Sequence, residues 1–255
     1  MRKIILIVVL FVMSIDAIEF TFRKYAHVKE FYSEITLDAI ELAKKHKLPP
    51  SAILAIAGLE SGYGSGYVAQ ITGNILSLGA YKSDKELPRL YLPYSKSKKK
   101  VLFDSKIIKK QAKSDLVFKK RPESLKRDYR SEPYAGTDKS LELLKYNDKL
   151  RREARRACFD DFASRWIVKT SKVKVYRDIR IWLDAMVKKH GVKILFTKEV
   201  NQVFINKIGG RDNSFNYRKS WPKKVNLIMS RVGLVKLTND IYFKDMSFID
   251  AWNNQ

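Results

Sequence analysis

The segment that decides the fold, residues 49–81, reads PPSAILAIAGLESGYGSGYVAQITGNILSLGAY. Pro49 and Pro50 favour a helix start, because proline has no N–H that would stay unpaired in the first turn. Residues 52–61 are apolar apart from one acid, Glu60, and one serine. Apolar side chains on nearly every face predict a helix buried in the protein. The glycines that follow end this helix, so the acid lies in its last turn.

Glu60 is the residue of this segment for which the sequence predicts a chemical role. Burial of a carboxylate is costly because the charged group loses its hydration. Burial, together with the negative end of the helix dipole, therefore raises the pKa of the carboxyl and favours its protonated form. A carboxyl that is protonated near neutral pH is suited to general acid catalysis. The alternative is a glutamate at a helix end that bends outward and stays hydrated.

The surroundings of Glu60 also resemble a known family. Residues 59–65 read LESGYGS and residues 73–79 read GNILSLG. These motifs are similar to those of the Bax-like and flagellar-rod-type glucosaminidases, the peptidoglycan hydrolases of glycoside hydrolase family 73. That family reads E-S-G-W-G and then N-N-L-F-G, so Tyr63 replaces the tryptophan and Asn74 matches the second asparagine. The resemblance covers residues 35–190.

This resemblance implies an α+β, mainly α fold: a lysozyme-like helical domain with a small β-lobe that faces the catalytic cleft. It implies cleavage of the β-1,4 bond after N-acetylglucosamine, with Glu60 as general acid. Asp104 follows a predicted strand and is the first candidate for the second carboxylate, ahead of Glu86 and Asp115. The N-acetyl group of the substrate is the alternative to a second carboxylate.

The resemblance also implies residues that bind the sugar. Tyr63 is expected to stack on the sugar or hydrogen-bond to it, and Asn74 to orient the N-acetyl sugar or the bend that carries the acid. Tyr134, in a turn similar to the family's N-P-x-Y-A, is expected to line the cleft. The family tyrosine that precedes the last helix is missing here. Either Trp166 or Tyr176 is expected to replace it, or the protein handles its reaction intermediate differently.

The domain organisation follows from the two ends of the chain. Residues 1–17 have the basic start, short apolar run and small final residue of a secretory signal peptide, with an uncleaved anchor as the alternative. Residues 18–30 are expected to be a loosely held arm and residues 31–190 the glucosaminidase domain. Residues 191–255 are basic and aromatic, and are expected to be an extension docked on that domain. The chain is therefore expected to be exported, to a bacterial periplasm or cell envelope.

The charge is strongly positive, with 51 Lys+Arg against 27 Asp+Glu and a formal net charge of +24. Such a charge favours anionic partners. The expected partners are peptidoglycan glycan strands and the anionic cell wall or membrane surface, and the export signal disfavours nucleic acid. The single cysteine, Cys158, is expected to be buried, and one cysteine forms no internal disulfide. The histidines are scattered, so neither a metal site nor a cofactor is implied, and a monomer is expected.

Two rival functions remain open. A lytic transglycosylase also carries E-S-G after a buried helix, although residues 74–79 lack the G-L-M-Q-like turn of those enzymes. A catalytically silent scaffold that binds the cell wall is the rival outside enzymes.

Local patterns complete the predictions. They indicate helices over 33–47 or 36–47, 65–71, 198–208 and after Trp221-Pro222, and paired strands at 101–103 and 116–118. The resemblance implies a further helix over 122–129, which is similar to the family's S-P-x-x-S-I-x-x-Y segment.

Overall fold

The structure is a computed structural model that describes residues 20–86, 91–102, 105–120, 126–131 and 147–254. The described part is mainly helical and contains one small antiparallel sheet. The predicted α+β, mainly α class is therefore confirmed.

The helices are α1 (Ala26–His46), α2 (Pro50–Ser61), α3 (Tyr67–Thr72), α4 (Ser105–Lys110), α5 (Asp148–Asp161), α6 (Lys174–His190), α7 (Lys198–Ile208), α8 (Trp221–Val232), α9 (Leu234–Lys244) and α10 (Phe248–Asn253). A π-helical turn, Phe162–Trp166, continues α5, and short 3-10 turns span Lys113–Asp115 and Val192–Phe196. The strands are β1 (Tyr91–Ser95), β2 (Lys100–Val101) and β3 (Leu116–Lys120).

Helix α2 is the buried centre of the fold, as predicted. Its residues from Pro50 to Gly58 are buried, and it packs against α1, α7, α8 and α9. The helix ends at Ser61 and is capped by Gly62, whose φ of 55° lies in the left-handed region that glycine adopts without strain. Glu60 therefore lies in the last turn, where the sequence places it.

Helix α1 begins earlier than predicted, at Ala26 rather than at Ser33 or Thr36. Val28 and Phe31 are buried and extend the apolar stripe of α1 toward its N-terminus. The Thr36 hydroxyl donates to a carbonyl within the helix, so it caps nothing.

The expectation of a loosely held arm is wrong for its described residues. The Arg23 side chain is buried, and its guanidinium donates to carbonyls at the ends of α8 and α10. The acceptors include the carbonyl oxygens of Val232, at 2.8 Å, and Ala251, at 3.1 Å. The guanidinium also lies over the rings of Phe20 and Trp252. Arg23 thus ties the start of the described chain to its end.

The C-terminal helices form one continuous core with α2. Helix α7 has the predicted bounds, and α8 begins at Trp221 as predicted. Aromatic side chains of this segment pack in or against the core; they are Phe215, Trp221, Tyr242, Phe248 and Trp252. Tyr217 and Phe243 are exposed.

The sheet has the order β2-β1-β3, so the predicted direct pairing of 101–103 with 116–118 is wrong. The central strand, β1, contains Pro93, which has no backbone N–H for the sheet. The Pro93 carbonyl accepts from Leu102 N just beyond the end of the short β2. The N–H that proline lacks would point toward β2, where the β1–β2 hydrogen-bond ladder has already ended. The sheet therefore loses no ladder hydrogen bond at Pro93.

The predicted helix over 122–129 is also wrong for its described residues. Lys126 and Arg127 are extended and form isolated antiparallel bridges with Gly79 and Glu86. The two bridges hold this segment along the chain that leaves α3. Within the described residues, no helix combines the length and apolarity needed to cross a bilayer.

Candidate active site

The Glu60 side chain is half-buried and meets a residue from the far end of the sequence. The indole N–H of Trp221, the first residue of α8, donates to Glu60 Oε1 at 2.7 Å. Gly209 permits this approach, because a Cβ at position 209 would lie 2.2 Å from Cε3 of the indole. The α8 terminus thus fixes the position of the carboxyl at the end of α2.

Several groups act on the pKa of Glu60, and burial is the largest influence. Burial raises the pKa of this carboxyl above its ordinary value, as predicted. The hydrogen bonds from Trp221 and Asn216 and the charges of Lys126 and Arg218 lower it, without cancelling the effect of burial. The site therefore disfavours the charge on Glu60 and also provides donors for the carboxylate when it forms.

Lys126 reaches the site through the segment that follows α3. Its ammonium donates to the carbonyl oxygen of Ser77, and its backbone bridges Gly79. Ser77 has a φ of 55°, a left-handed conformation at the bend of this segment. The bend of the GNILSLG motif therefore positions a cation near Glu60.

Asn74 is buried and uses its whole side-chain amide on this bend. Its Nδ2 donates to the carbonyls of Leu78, at 2.9 Å, and Arg127, at 3.0 Å. Its Oδ1 accepts from Leu78 N at 2.8 Å and from the Cys158 thiol at 3.6 Å. An amide has two N–H donors and two acceptor positions, so none is left for a sugar. Of its two predicted roles, the contacts fit the one in which Asn74 orients the backbone; its place in substrate binding stays a prediction.

A partly buried ionic network holds the same segments on α5 and the π-helical turn that continues it. Asp84 accepts from the Arg165 guanidinium at 2.7 Å and also pairs with Arg127. Arg165 also pairs with Asp161, which accepts from the Tyr129 hydroxyl at 2.6 Å. The Arg165 and Arg127 contacts hold the pKa of Asp84 well below its usual range. These contacts anchor residues 127–129, directly after Lys126, and Asp84 in the segment that follows α3.

Tyr63 packs on the α1 side of the helix. Its ring makes edge-to-face contacts with His27, Phe31 and Tyr32, and burial raises the pKa of its hydroxyl to about 12. Its Cε1 lies near Gly58, which is about 200° around α2 from Glu60. This packing accounts for the ring without a sugar, and sugar binding by Tyr63 stays a prediction.

The two candidates for the missing family tyrosine contact each other. The rings of Trp166 and Tyr176 lie 5.8 Å apart, and Tyr81 lies 5.9 Å from Trp166. The Arg165 guanidinium covers the Tyr81 ring at 4.6 Å. Which of the two replaces the tyrosine stays a prediction.

The candidates for the second carboxylate lie partly outside the described residues. Asp104 and Tyr134 both lie outside them. Asp115 is held at the tip of the sheet by Ser95 and other donors, which gives it a structural role. The backbone of Glu86 forms a bridge with Arg127, so Glu86 lies beside the segment that carries Lys126.

Two surface depressions lie on other parts of the helical body. One lies between α1 and α5 and includes Asp38 and Arg156, and the other includes His46 and Arg180. Glu60 lines neither of them, so a sugar-binding cleft beside Glu60 stays a prediction. Among the residues described, no cluster of His, Cys, Asp and Glu is arranged to hold a metal ion.

The sequence identified Glu60 but not the groups around its carboxyl. Sequence reasoning did not predict the four residues that act on this carboxyl, which are Trp221, Asn216, Arg218 and Lys126. Trp221 is 161 positions away from its partner. The only signal was the aromatic and basic composition of the C-terminal segment, which does not specify a pairing.

No family model matches the chain, and the search of curated proteins gives no match. Among solved structures, the chain is similar to the crystal structure of the catalytic domain of the autolysin Auto from Listeria monocytogenes. The identity is 16% and the TM-score 0.44, over 83% of this chain and 88% of that chain. Values this low do not by themselves establish a shared fold or function.

Proposed function

We propose that the chain is a peptidoglycan hydrolase, an endo-β-N-acetylglucosaminidase that cleaves the β-1,4 bond after N-acetylglucosamine. One observation carries this proposal: the carboxyl of Glu60, in an E-S-G motif, is half-buried at the end of α2 and has a raised pKa. A carboxyl in this state is the acid that glycoside hydrolysis needs. The similarity of residues 59–79 to the glucosaminidase motifs supports the choice of substrate.

In the proposed reaction, Glu60 donates its proton to the glycosidic oxygen as the sugar becomes oxocarbenium-like. The carboxylate that results keeps the hydrogen bond from Trp221 and the nearby charges of Lys126 and Arg218. These groups favour the ionised form and so assist the proton transfer. Asp104 or Glu86 would activate the water, or the substrate's N-acetyl group would attack in place of a second carboxylate.

The proposed setting is the cell envelope of a bacterium. The predicted signal peptide, residues 1–17, lies outside the described residues and supports export by its sequence alone. The proposed partner is the peptidoglycan glycan strand, bound by a monomer.

The test is digestion of purified sacculi by the wild type and by Glu60→Gln. Glutamine keeps the shape of the side chain and an acceptor for the Trp221 N–H, but it has no proton to donate. We expect clearing to fall by at least about a hundredfold, the usual contribution of a general acid. Glu199→Gln, at an exposed position of α7, is the matched control and is expected to clear like the wild type.

The outcomes separate the rival functions. Mass spectrometry of the products should give a reducing N-acetylglucosamine end that carries the added water. An anhydro-muramic end would identify a lytic transglycosylase. Undiminished clearing by Glu60→Gln would disprove the catalytic assignment, and wild-type binding without clearing would identify a scaffold.

A further inference from the structure

The sheet and its flanking turns form a lobe with many exposed cations. We use the name basic lobe for residues 91–102 and 105–120. Exposed lysines occur on three of its segments, the β1–β2 turn and β2, the end of α4 and the 3-10 turn; they are Lys96, Lys98, Lys99, Lys100, Lys109, Lys110 and Lys113. In sequence these segments are separate, so their proximity is a result of the fold.

Asp115 holds the three segments together. Its carboxylate accepts from Ser95 Oγ at 2.6 Å and Ser97 N at 2.7 Å, in the hairpin, and from Gln111 Nε2 at 2.6 Å, just after α4. The backbone N–H of Lys96 donates to the Asp115 carbonyl at 3.0 Å. One carboxylate therefore gathers the lysine-bearing segments at one end of the basic lobe.

The positive charge at this end is not neutralised within the lobe. The lysines form no ion pair with any residue that the structure describes. The carboxylate of Asp115 accepts hydrogen bonds from Ser95, Ser97 and Gln111 instead. A concentration of lysines that form no ion pair with described residues attracts an anionic surface.

Apolar side chains on the same lobe indicate which anionic surface fits. Ile107, on α4, is 42% exposed and Val117, on β3, is 38% exposed. A bilayer interface accepts lysine ammonium groups at the headgroups and aliphatic side chains below them, whereas a soluble polyanion uses only the charge.

We propose that the lysine-rich end of the basic lobe docks on an anionic phospholipid surface. The attraction comes from the lysines of the hairpin, α4 and the 3-10 turn, and Ile107 adds apolar contact at the interface. This docking is independent of the proposed hydrolysis, since Glu60 takes no part in it.

The test is co-sedimentation of the whole protein with vesicles. We expect binding to vesicles of equal parts phosphatidylcholine and phosphatidylglycerol, and little binding to phosphatidylcholine alone. Replacement of the hairpin lysines 96, 98, 99 and 100 by glutamine should weaken binding by roughly tenfold or more. The matched control replaces the exposed lysines 188, 189, 193 and 198 by glutamine, with the same change in charge, and should weaken it by no more than about twofold.

A further variant separates a bilayer from a soluble polyanion. Ile107→Ser should weaken binding to the mixed vesicles but leave binding to soluble polyglutamate unchanged. The proposal is overturned if the wild type does not bind the mixed vesicles or if the two lysine variants weaken binding equally. It is also overturned if Ile107→Ser does not weaken binding to the mixed vesicles. Equal weakening would assign the binding to net charge, and an inert Ile107→Ser would assign it to a soluble polymer.

Discussion

Replacement of Trp221 by phenylalanine tests whether a residue of the C-terminal helices lowers the pKa of Glu60. Phenylalanine keeps an aromatic ring at the start of α8 but removes the N–H that donates to Glu60 at 2.7 Å. This hydrogen bond lowers the pKa of Glu60 against the larger effect of burial. Without it, the pKa of Glu60 should rise further.

The size of the change follows from the energy of the bond. A hydrogen bond to a charged group contributes about 1.5–3 kcal/mol, and one pKa unit corresponds to about 1.4 kcal/mol. Because Lys126, Asn216 and Arg218 remain, we use the lower limit and expect a rise of about one unit. The smaller ring also leaves a cavity, since Trp221 is buried, and should cost about 1–3 kcal/mol of folding free energy.

The assay is the pH dependence of sacculus digestion. Only protonated Glu60 donates a proton, so the rate falls as the pH rises through its pKa. In Trp221→Phe this fall should move to higher pH by about one unit. Trp182→Phe, on α6, is the matched control and should leave the profile in place.

A second measurement needs no substrate. In the wild type, the NMR signal of the Trp221 indole N–H should follow the ionisation of Glu60, and Glu60→Gln should abolish this titration. The signal is assigned by its loss in the Trp221→Phe spectrum. A folded Trp221→Phe protein with an unmoved pH profile, together with an indole signal that does not titrate, would refute this role for Trp221.

Two further predictions concern the segments that carry Lys126. Asn74→Leu leaves the Leu78 and Arg127 carbonyls and the Leu78 N–H without their partner, and should lower the free energy of unfolding in urea by about 3 kcal/mol. An unchanged urea midpoint would contradict the claim that the Asn74 amide holds these backbone groups. Asp84→Asn should cost about 2 kcal/mol near neutral pH, because it removes the charge that Arg165 and Arg127 surround. Because the folded pKa of Asp84 is depressed, its contribution is present above the ordinary aspartate pKa and is lost as the pH falls, so this difference should shrink in acid. A deficit that persists in acid, or one matched by the exposed Asp212→Asn, would count against the pairing.

The sequence predicted those helices whose apolar spacing and terminating residues are both present within the segment itself. The bounds of α7 and the place of Glu60 in α2 agree with the structure, because apolar spacing and terminating residues lie within a few positions of each other. The start of α1 was missed because the contacts that bury Val28 come from elsewhere in the chain. The pairing of β1 was missed because Pro93 is tolerated only where the neighbouring strand ends, which is a property of the sheet.

The sequence by itself determined a buried helix that ends in a carboxyl and a glycine bend, because helix formation and termination depend on neighbours along the chain. Only the tertiary structure decided what surrounds that carboxyl. Trp221 and Lys126 come to Glu60 from two separate, distant parts of the sequence, through the packing of α8 on α2 and the bridge at Gly79. The raised pKa of Glu60 depends on that packing, since burial is created by residues that are distant in sequence.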